Sequence, residues 1–282
     1  MTTNPAPRMH TQLVTIPTDT IPLDGVLYEP VRSNGRAAIY FHGNTMNFYT
    51  GAARFLAPAL VSMGYNFLAF NRRGHDVLTT RASRVPEGGA FQTTGEALAD
   101  NRYAAHWLAA RGFAAPVVIG HSNGGMLGVQ HVVDHPQTPA LVLLSAGRGG
   151  PHSSSGGPEK LLAQDRHAEF EAQAHRLVAA GHGRELLLLP GWWYVISAGS
   201  FLDRNETVPE TVPLAAQLRC PVITIRGSTE DRGRYPAEEF QANCGGPCTV
   251  EIIANCDHFY VGREAEVTQV VTAWLDRMLP QQ

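Results

Sequence analysis

Pro116-Val117-Val118-Ile119-Gly120-His121-Ser122-Asn123-Gly124-Gly125-Met126-Leu127-Gly128 is the stretch around which the rest of the chain is organised. Its first half is a short apolar run rich in β-branched residues, the signature of a buried strand. Its second half continues into an apolar-periodic segment, Met126, Leu127, Val129, Val132 and Val133, the signature of a helix. Ser122 therefore falls at a strand-to-helix junction. Glycines two residues before and two after it allow a sharp turn and close backbone packing, so the hydroxyl is expected to face a cleft.

Outward from this junction the chain alternates between the same two patterns. Residues 12 to 30 read as two short alternating runs joined by a polar turn, an antiparallel hairpin at a sheet edge where its prolines are tolerated. Ala37 to Phe41 and Asn66 to Phe70 read as buried strands, as does Ala140 to Ala146. Ala52 to Val61 and residues 95 to 112 read as helices with one buried face. Strand and helix in alternation imply crossovers between parallel strands. The expected fold class is α/β, an open, mostly parallel doubly wound sheet with helices on both faces. In such sheets ligands bind outside the carboxyl ends of the strands, where Asn44 and Ser122 lie.

The alternation breaks at Gly147. Residues 147–157 have no periodicity, and a polar helix is expected from about Pro158 to Ala180, then the run Leu186 to Val195. The next expected sheet strand is Pro221 to Ile225, followed by Thr249 to Ala254 and an amphipathic helix from Val267 to Leu279. The expected division is a core of residues 1–146 and 214–282 with an insertion at 147–213.

Gly120-His121-Ser122-Asn123-Gly124 resembles the nucleophile elbow of the α/β-hydrolase superfamily. That resemblance implies an α/β-hydrolase fold with a helical cap inserted after the sixth strand. It also implies that Ser122 is the nucleophile of a serine hydrolase. His42-Gly43-Asn44, at the end of its strand, is similar to the family's oxyanion loop, which makes the backbone amides of Asn44 and Asn123 the implied oxyanion donors. His42 is a candidate substrate contact or, alternatively, a turn histidine bonded to local backbone. In the family an acid sits a few residues past the strand that Val222 to Ile225 forms here. Glu230 has the commoner spacing and Asp231 lies one residue further, so both stand as candidates. Among the twelve histidines, His258 is the one late enough to complete the order serine, acid, histidine. Asn71-Arg72-Arg73-Gly74 resembles the loop after the corresponding family strand, where arginines tie loops together. Trp192, Trp193 and Tyr194, with Phe201, are candidates for an apolar substrate wall or for the glue between cap and core.

These residues imply hydrolysis of a carboxylic ester, lactone or thioester of a small, moderately apolar substrate. Acyl transfer and C–C bond hydrolysis by the same triad are alternatives, as is a non-catalytic small-molecule receptor on the same fold. A haloalkane dehalogenase is disfavoured because that chemistry uses an aspartate where this chain has Ser122. The 282 residues, 44% hydrophobic and 17% charged, suit one large globular domain or a core plus insertion. A net charge of −3 with scattered arginines gives no basic stripe for nucleic acid. Met1 to Thr11 lacks the apolar core of a secretion signal, and no run of about 18 apolar residues occurs, so no membrane association and a cytoplasmic location are expected. Cys220, Cys244, Cys248 and Cys256 read as free thiols. Cys244-Gly-Gly-Pro-Cys248 lacks a second ligand pair at zinc spacing, so neither metal nor cofactor is expected. Oligomeric state is not legible.

Overall fold

The computed structural model describes residues 9–80, 84–150, 163–190 and 195–280. Eight strands form one sheet: β1 (Met9–Ile16), β2 (Leu23–Pro30), β3 (Ala37–Phe41), β4 (Asn66–Phe70), β5 (Val117–His121), β6 (Leu141–Leu144), β9 (Val222–Gly227) and β10 (Cys248–Ile253). Their spatial order is β1-β2-β4-β3-β5-β6-β9-β10. The β1/β2 and β2/β4 pairs are antiparallel, whereas every pair from β4 to β10 is parallel. The hairpin places only β1 at the edge, since β2 also pairs with β4.

The continuous apolar runs of β3, β4, β5 and β6 are explained by burial on both faces of the sheet. In β3, Ala38 and Tyr40 join one cluster, with α1 (Ala52–Ser62) and α8 (Glu264–Met278). Ile39 and Phe41, pointing the other way, join a second cluster with α2 (Thr94–Ala109) and α3 (Asn123–Asp134). The start of α2 is fixed by a reciprocal capping box, in which Thr93 and Glu96 each accept from the other's backbone N–H.

Between β6 and β9 the chain leaves the sheet. It forms α4 (His167–Ala179), a two-stranded antiparallel pair β7 (Leu186–Leu188) and β8 (Val195–Ser197), α5 (Ala198–Glu206) and the short α6 (Thr211–Ala215). Residues of this segment bury one another in a cluster of their own around Phe170, Leu187, Ile196 and Phe201. The helix expected from Pro158 is helical from His167, after a single 3₁₀ turn at Gln164–Arg166; residues 151–162 lie outside the described residues. A further short helix, α7 (Ala237–Asn243), lies between β9 and β10.

Candidate active site

Ser122 directly follows β5, with φ 55° and ψ −122°, a backbone conformation that costs a non-glycine residue about 1–3 kcal/mol. Two neighbours make that turn possible. A methyl group on Gly120 would lie 2.4 Å from the Gly124 carbonyl oxygen, and one on Gly124 would lie 2.0 Å from that of Phe41. The glycines at these positions are thus demanded by backbone approaching backbone. Gly124→Ala is expected to destabilise the protein by more than about 3 kcal/mol, read as a lowered Tm, because rigid backbone cannot move aside as a side chain can. The Ser122 N–H extends the ladder to Leu144 O at 2.8 Å, which locks the turn to β6.

His258 lies in the loop between β10 and α8, and its Nε2 stands 3.0 Å from Ser122 Oγ. Its Nδ1 is 2.7 Å from Glu230 Oε1. A carboxylate accepts, so Nδ1 carries the proton and Nε2 turns its lone pair toward the serine hydroxyl. Glu230, three residues beyond β9, has only 3% of its side chain exposed. Its other oxygen, Oε2, accepts from the Gly227 N–H and from Ser145 Oγ, both at 2.7 Å. Ser145 Oγ is 2.7 Å from the buried Tyr260 hydroxyl, which donates to Ile225 O. Asp231, by contrast, is exposed and accepts from the Arg234 N–H, closing a local turn. Of the two candidate acids, the structure brings Glu230 to the imidazole and leaves Asp231 at the surface.

Asn44 lies three residues beyond β3, and the preceding Gly43 packs against the serine: a methyl there would be 3.3 Å from Ser122 Cβ. Among the described residues the backbone N–H groups of Asn44 and Asn123 have no hydrogen-bond acceptor. The side chain of Asn44 is held from the segment between β6 and β9, with Arg204 Nη1 of α5 donating to its Oδ1 at 2.9 Å. The neighbouring Asp203 accepts from the Thr94 N–H and hydroxyl at the start of α2.

Two expectations need correction. His42 has no exposed surface, its Nδ1–H donates to Gly43 O and its Nε2 accepts from the Arg72 N–H. Both ring nitrogens are engaged with backbone, so it braces the loop and is not a substrate contact. Phe201 is fully buried in the cluster that the segment between β6 and β9 forms with itself, 5.2 Å from the His167 ring, and forms no part of a substrate wall. Trp192, Trp193 and Tyr194 lie outside the described residues.

The sequence reading passed over His121, Ser145 and Tyr260. His121 is buried, and its Nε2–H donates to the backbone oxygen of His258 at 2.9 Å, tying the elbow to the histidine loop. Ser145 and Tyr260 carried a signal: a hydroxyl at the carboxyl end of β6, and one two residues beyond His258. Burial, then the nearby His258, pushes His121 down to about 3. Burial and Arg72 hold His42 well below the usual imidazole range. Burial, then His135, takes His131 down to about 3. These rings stay neutral when folded but take up protons when unfolded, below about pH 6.5. Stability is therefore fully present above that pH and is lost as pH falls toward 3. Each ring is expected to add up to about 1.4 kcal/mol of loss per pH unit, so Tm measured from pH 7 to 5 should fall with increasing steepness.

All four cysteines are free. Among the described residues no cluster of three or more His, Cys, Asp or Glu side chains is arranged to hold a metal, and no helix is long and apolar enough to cross a membrane.

A mostly parallel sheet with Ser122, Glu230 and His258 gathered at its carboxyl rim agrees with what sequence comparison gives. A model of the alpha/beta hydrolase family matches residues 38–270. The chain belongs to the alpha/beta hydrolase family. No curated protein sequence matches it. Solved structures match over nearly the whole chain at low identity, which shows that the fold is shared. The alpha/beta hydrolase GrgF from Penicillium sp. sh18 is 15% identical, with a TM-score of 0.72 over 96% of this chain and 99% of that one. Est1E from Butyrivibrio proteoclasticus with bound ferulic acid is 16% identical, with a TM-score of 0.69 over 94% of this chain and 99% of that one. The esterase domain of a Rhodothermus marinus protein is 21% identical, with a TM-score of 0.64 over 95% of this chain and 99% of that one. The segment between β6 and β9 is anchored to α2 and to the loop after β3 through Asp203 and Arg204.

Proposed function

We propose that this alpha/beta hydrolase is a serine hydrolase that cleaves a carboxylic ester of a small substrate through an acyl-enzyme on Ser122. The observation that carries the reading is the unbroken contact from Glu230 Oε1 through both nitrogens of His258 to Ser122 Oγ, at 2.7 and 3.0 Å. A serine hydroxyl is a weak nucleophile at neutral pH and needs a base within hydrogen-bond reach. As Oγ attacks the ester carbonyl carbon, its proton passes to His258 Nε2, and Glu230 holds the ring and stabilises the imidazolium. The carbonyl oxygen takes up the negative charge, facing the N–H groups of Asn44 and Asn123, whose lack of acceptors supports that role. His258 then gives its proton to the leaving alcohol. A water molecule, deprotonated by the same nitrogen, attacks the acyl carbonyl and releases the acid with Ser122 restored.

The segment between β6 and β9 serves in this reading as a cap over the substrate. The occurrence of named esterases among the matched folds supports the choice of an ester. A fluorophosphonate probe tests the chemistry directly. Covalent labelling of the wild-type protein is expected, with none in either Ser122→Ala or His258→Ala. A protein that resists the probe while binding small molecules tightly would instead be a receptor.

A further inference from the structure

The turn that joins α7 to β10 reads Cys244-Gly245-Gly246-Pro247-Cys248, with a thiol at each end. It lies at the amino ends of β9 and β10, where Cys248 is in register with Val222, at the opposite end of these strands from the triad. Neighbouring backbone pins it from several sides. The Gly245 N–H donates to Ala215 O at 2.9 Å, and Pro247 O accepts from the Val222 N–H at 2.8 Å. Gln241 Nε2 donates to Cys248 O at 2.9 Å. The turn so held brings the two sulfurs into hydrogen-bond contact, and both residues stay partly exposed.

The two thiols stand in different surroundings. Cys244 Sγ accepts from the Cys248 thiol and from the Gly246 N–H. The Arg219 guanidinium is fixed over the same turn: its Nη1 donates to Ala216 O and Leu218 O at 2.8 and 3.0 Å, and a methyl group on Gly245 would collide with it. The Cys248 thiol first, then the Gly246 N–H and Arg219, hold Cys244 below the ordinary thiol range against the opposing effect of burial. The proton of the pair stays on Cys248, which the neighbouring sulfur and then burial push up. Cys220, two residues before β9, and Cys256, after β10, are each pushed up to about 11, chiefly by burial. A stabilised thiolate with a second thiol beside it is the arrangement that disulfide exchange requires.

We infer that Cys244 and Cys248 form a dithiol site that reacts with small-molecule disulfides, Cys244 as the attacking sulfur and Cys248 as the one that completes the exchange. The Cys244 thiolate attacks one sulfur of the incoming disulfide; a mixed disulfide forms on Cys244 and the other half leaves as a thiolate. That thiolate takes the Cys248 proton. Cys248 Sγ then attacks Cys244 Sγ, the two join, and the second half leaves as a thiolate. The protein pair has given up two electrons and the small disulfide has gained them. The site stands apart from the serine-hydrolase reading and is tested without any ester.

The probe is oxidised glutathione, added at pH 7 to the reduced full chain, with free thiols then blocked and located by peptide mass spectrometry. A link between Cys244 and Cys248 is expected in the wild type while Cys220 and Cys256 remain free. Cys248→Ser should stop at a glutathione mixed disulfide on Cys244, and in Cys244→Ser glutathione should reach Cys248 at least about tenfold more slowly. Iodoacetamide reads the same difference with no substitution: Cys244 should be alkylated about tenfold or more faster than Cys256 in the folded protein, and at about the same rate once both are unfolded in urea. Equal rates in the folded protein, a bridge from Cys220 to Cys244, or glutathione on Cys248 in the Cys248-intact Cys244→Ser variant as fast as wild type reacts would each overturn the proposal.

Discussion

Ser122→Ala is expected to lower kcat for a hydrolysable ester by about a millionfold, with Tm unchanged. The size follows from the geometry: among the described residues His258 Nε2 has no other hydroxyl placed 3.0 Å away to activate, so the covalent route is expected to close completely. The fold is untouched because alanine can adopt the same positive-φ turn that serine already occupies. His258→Ala should cost nearly as much, and the double variant little more than either, since the two side chains act on one proton. Activity should survive at about 10³- to 10⁴-fold over water, supplied by the amides of Asn44 and Asn123 and by binding. Stopped assays at high enzyme concentration, with the fluorophosphonate probe excluding contaminating wild-type protein, measure this floor. Retention of substantial turnover by Ser122→Ala would end the serine mechanism.

The second large effect separates two adjacent carboxylates. Glu230→Gln is expected to reduce kcat by about 10⁴-fold, whereas Asp231→Asn should stay within about twofold of wild type. Glutamine keeps the shape and can still accept from the Gly227 N–H and Ser145. What it loses is the negative charge at Oε1. An amide that donates to His258 Nδ1 selects the tautomer with the proton on Nε2, which then faces Ser122 with a donor where a base is needed. The charge that stabilises the imidazolium disappears as well. Asp231 ends a turn on the surface, so its asparagine keeps that cap. Steady-state kinetics on the two variants side by side reads the difference; a strong defect in Asp231→Asn and none in Glu230→Gln would reverse the assignment.

The choice between these acids shows where sequence legibility stops. Spacing past β9 favoured position 230 by one residue, but the groups that hold Glu230 come from elsewhere: Ser145 at the end of β6 and, behind it, Tyr260 after β10. No local pattern links those three positions. The sheet was readable because burial on both faces forces uninterrupted apolar runs, as in Ala37–Phe41 and Leu141–Leu144. The elbow was readable because its two glycines answer to backbone contacts that no side chain can satisfy. His42 misled for a related reason, since a histidine at the rim of a strand is equally suited to touching a ligand and to bridging Gly43 O and Arg72 N, and only burial distinguishes them. Leu186 to Leu189 named an apolar run without naming its partner: Leu187 is buried in the cluster between β6 and β9 while Leu186 and Leu188 face outward. Arg204 gave no signal at all, because a single arginine in a mixed helix acquires meaning only when Asn44 is beside it.

That Ser122 and His258 lie 136 residues apart has a consequence for the growing chain on the ribosome. The elbow and the backbone amides of Asn44 and Asn123 emerge early, but a translation product that stops before β9 has neither the imidazole nor its carboxylate. Such a fragment carries an inert hydroxyl. Synthesis therefore brings the three side chains into contact only when the last strand has joined its neighbour, and an incomplete chain lacks the connection from Glu230 through His258 to Ser122.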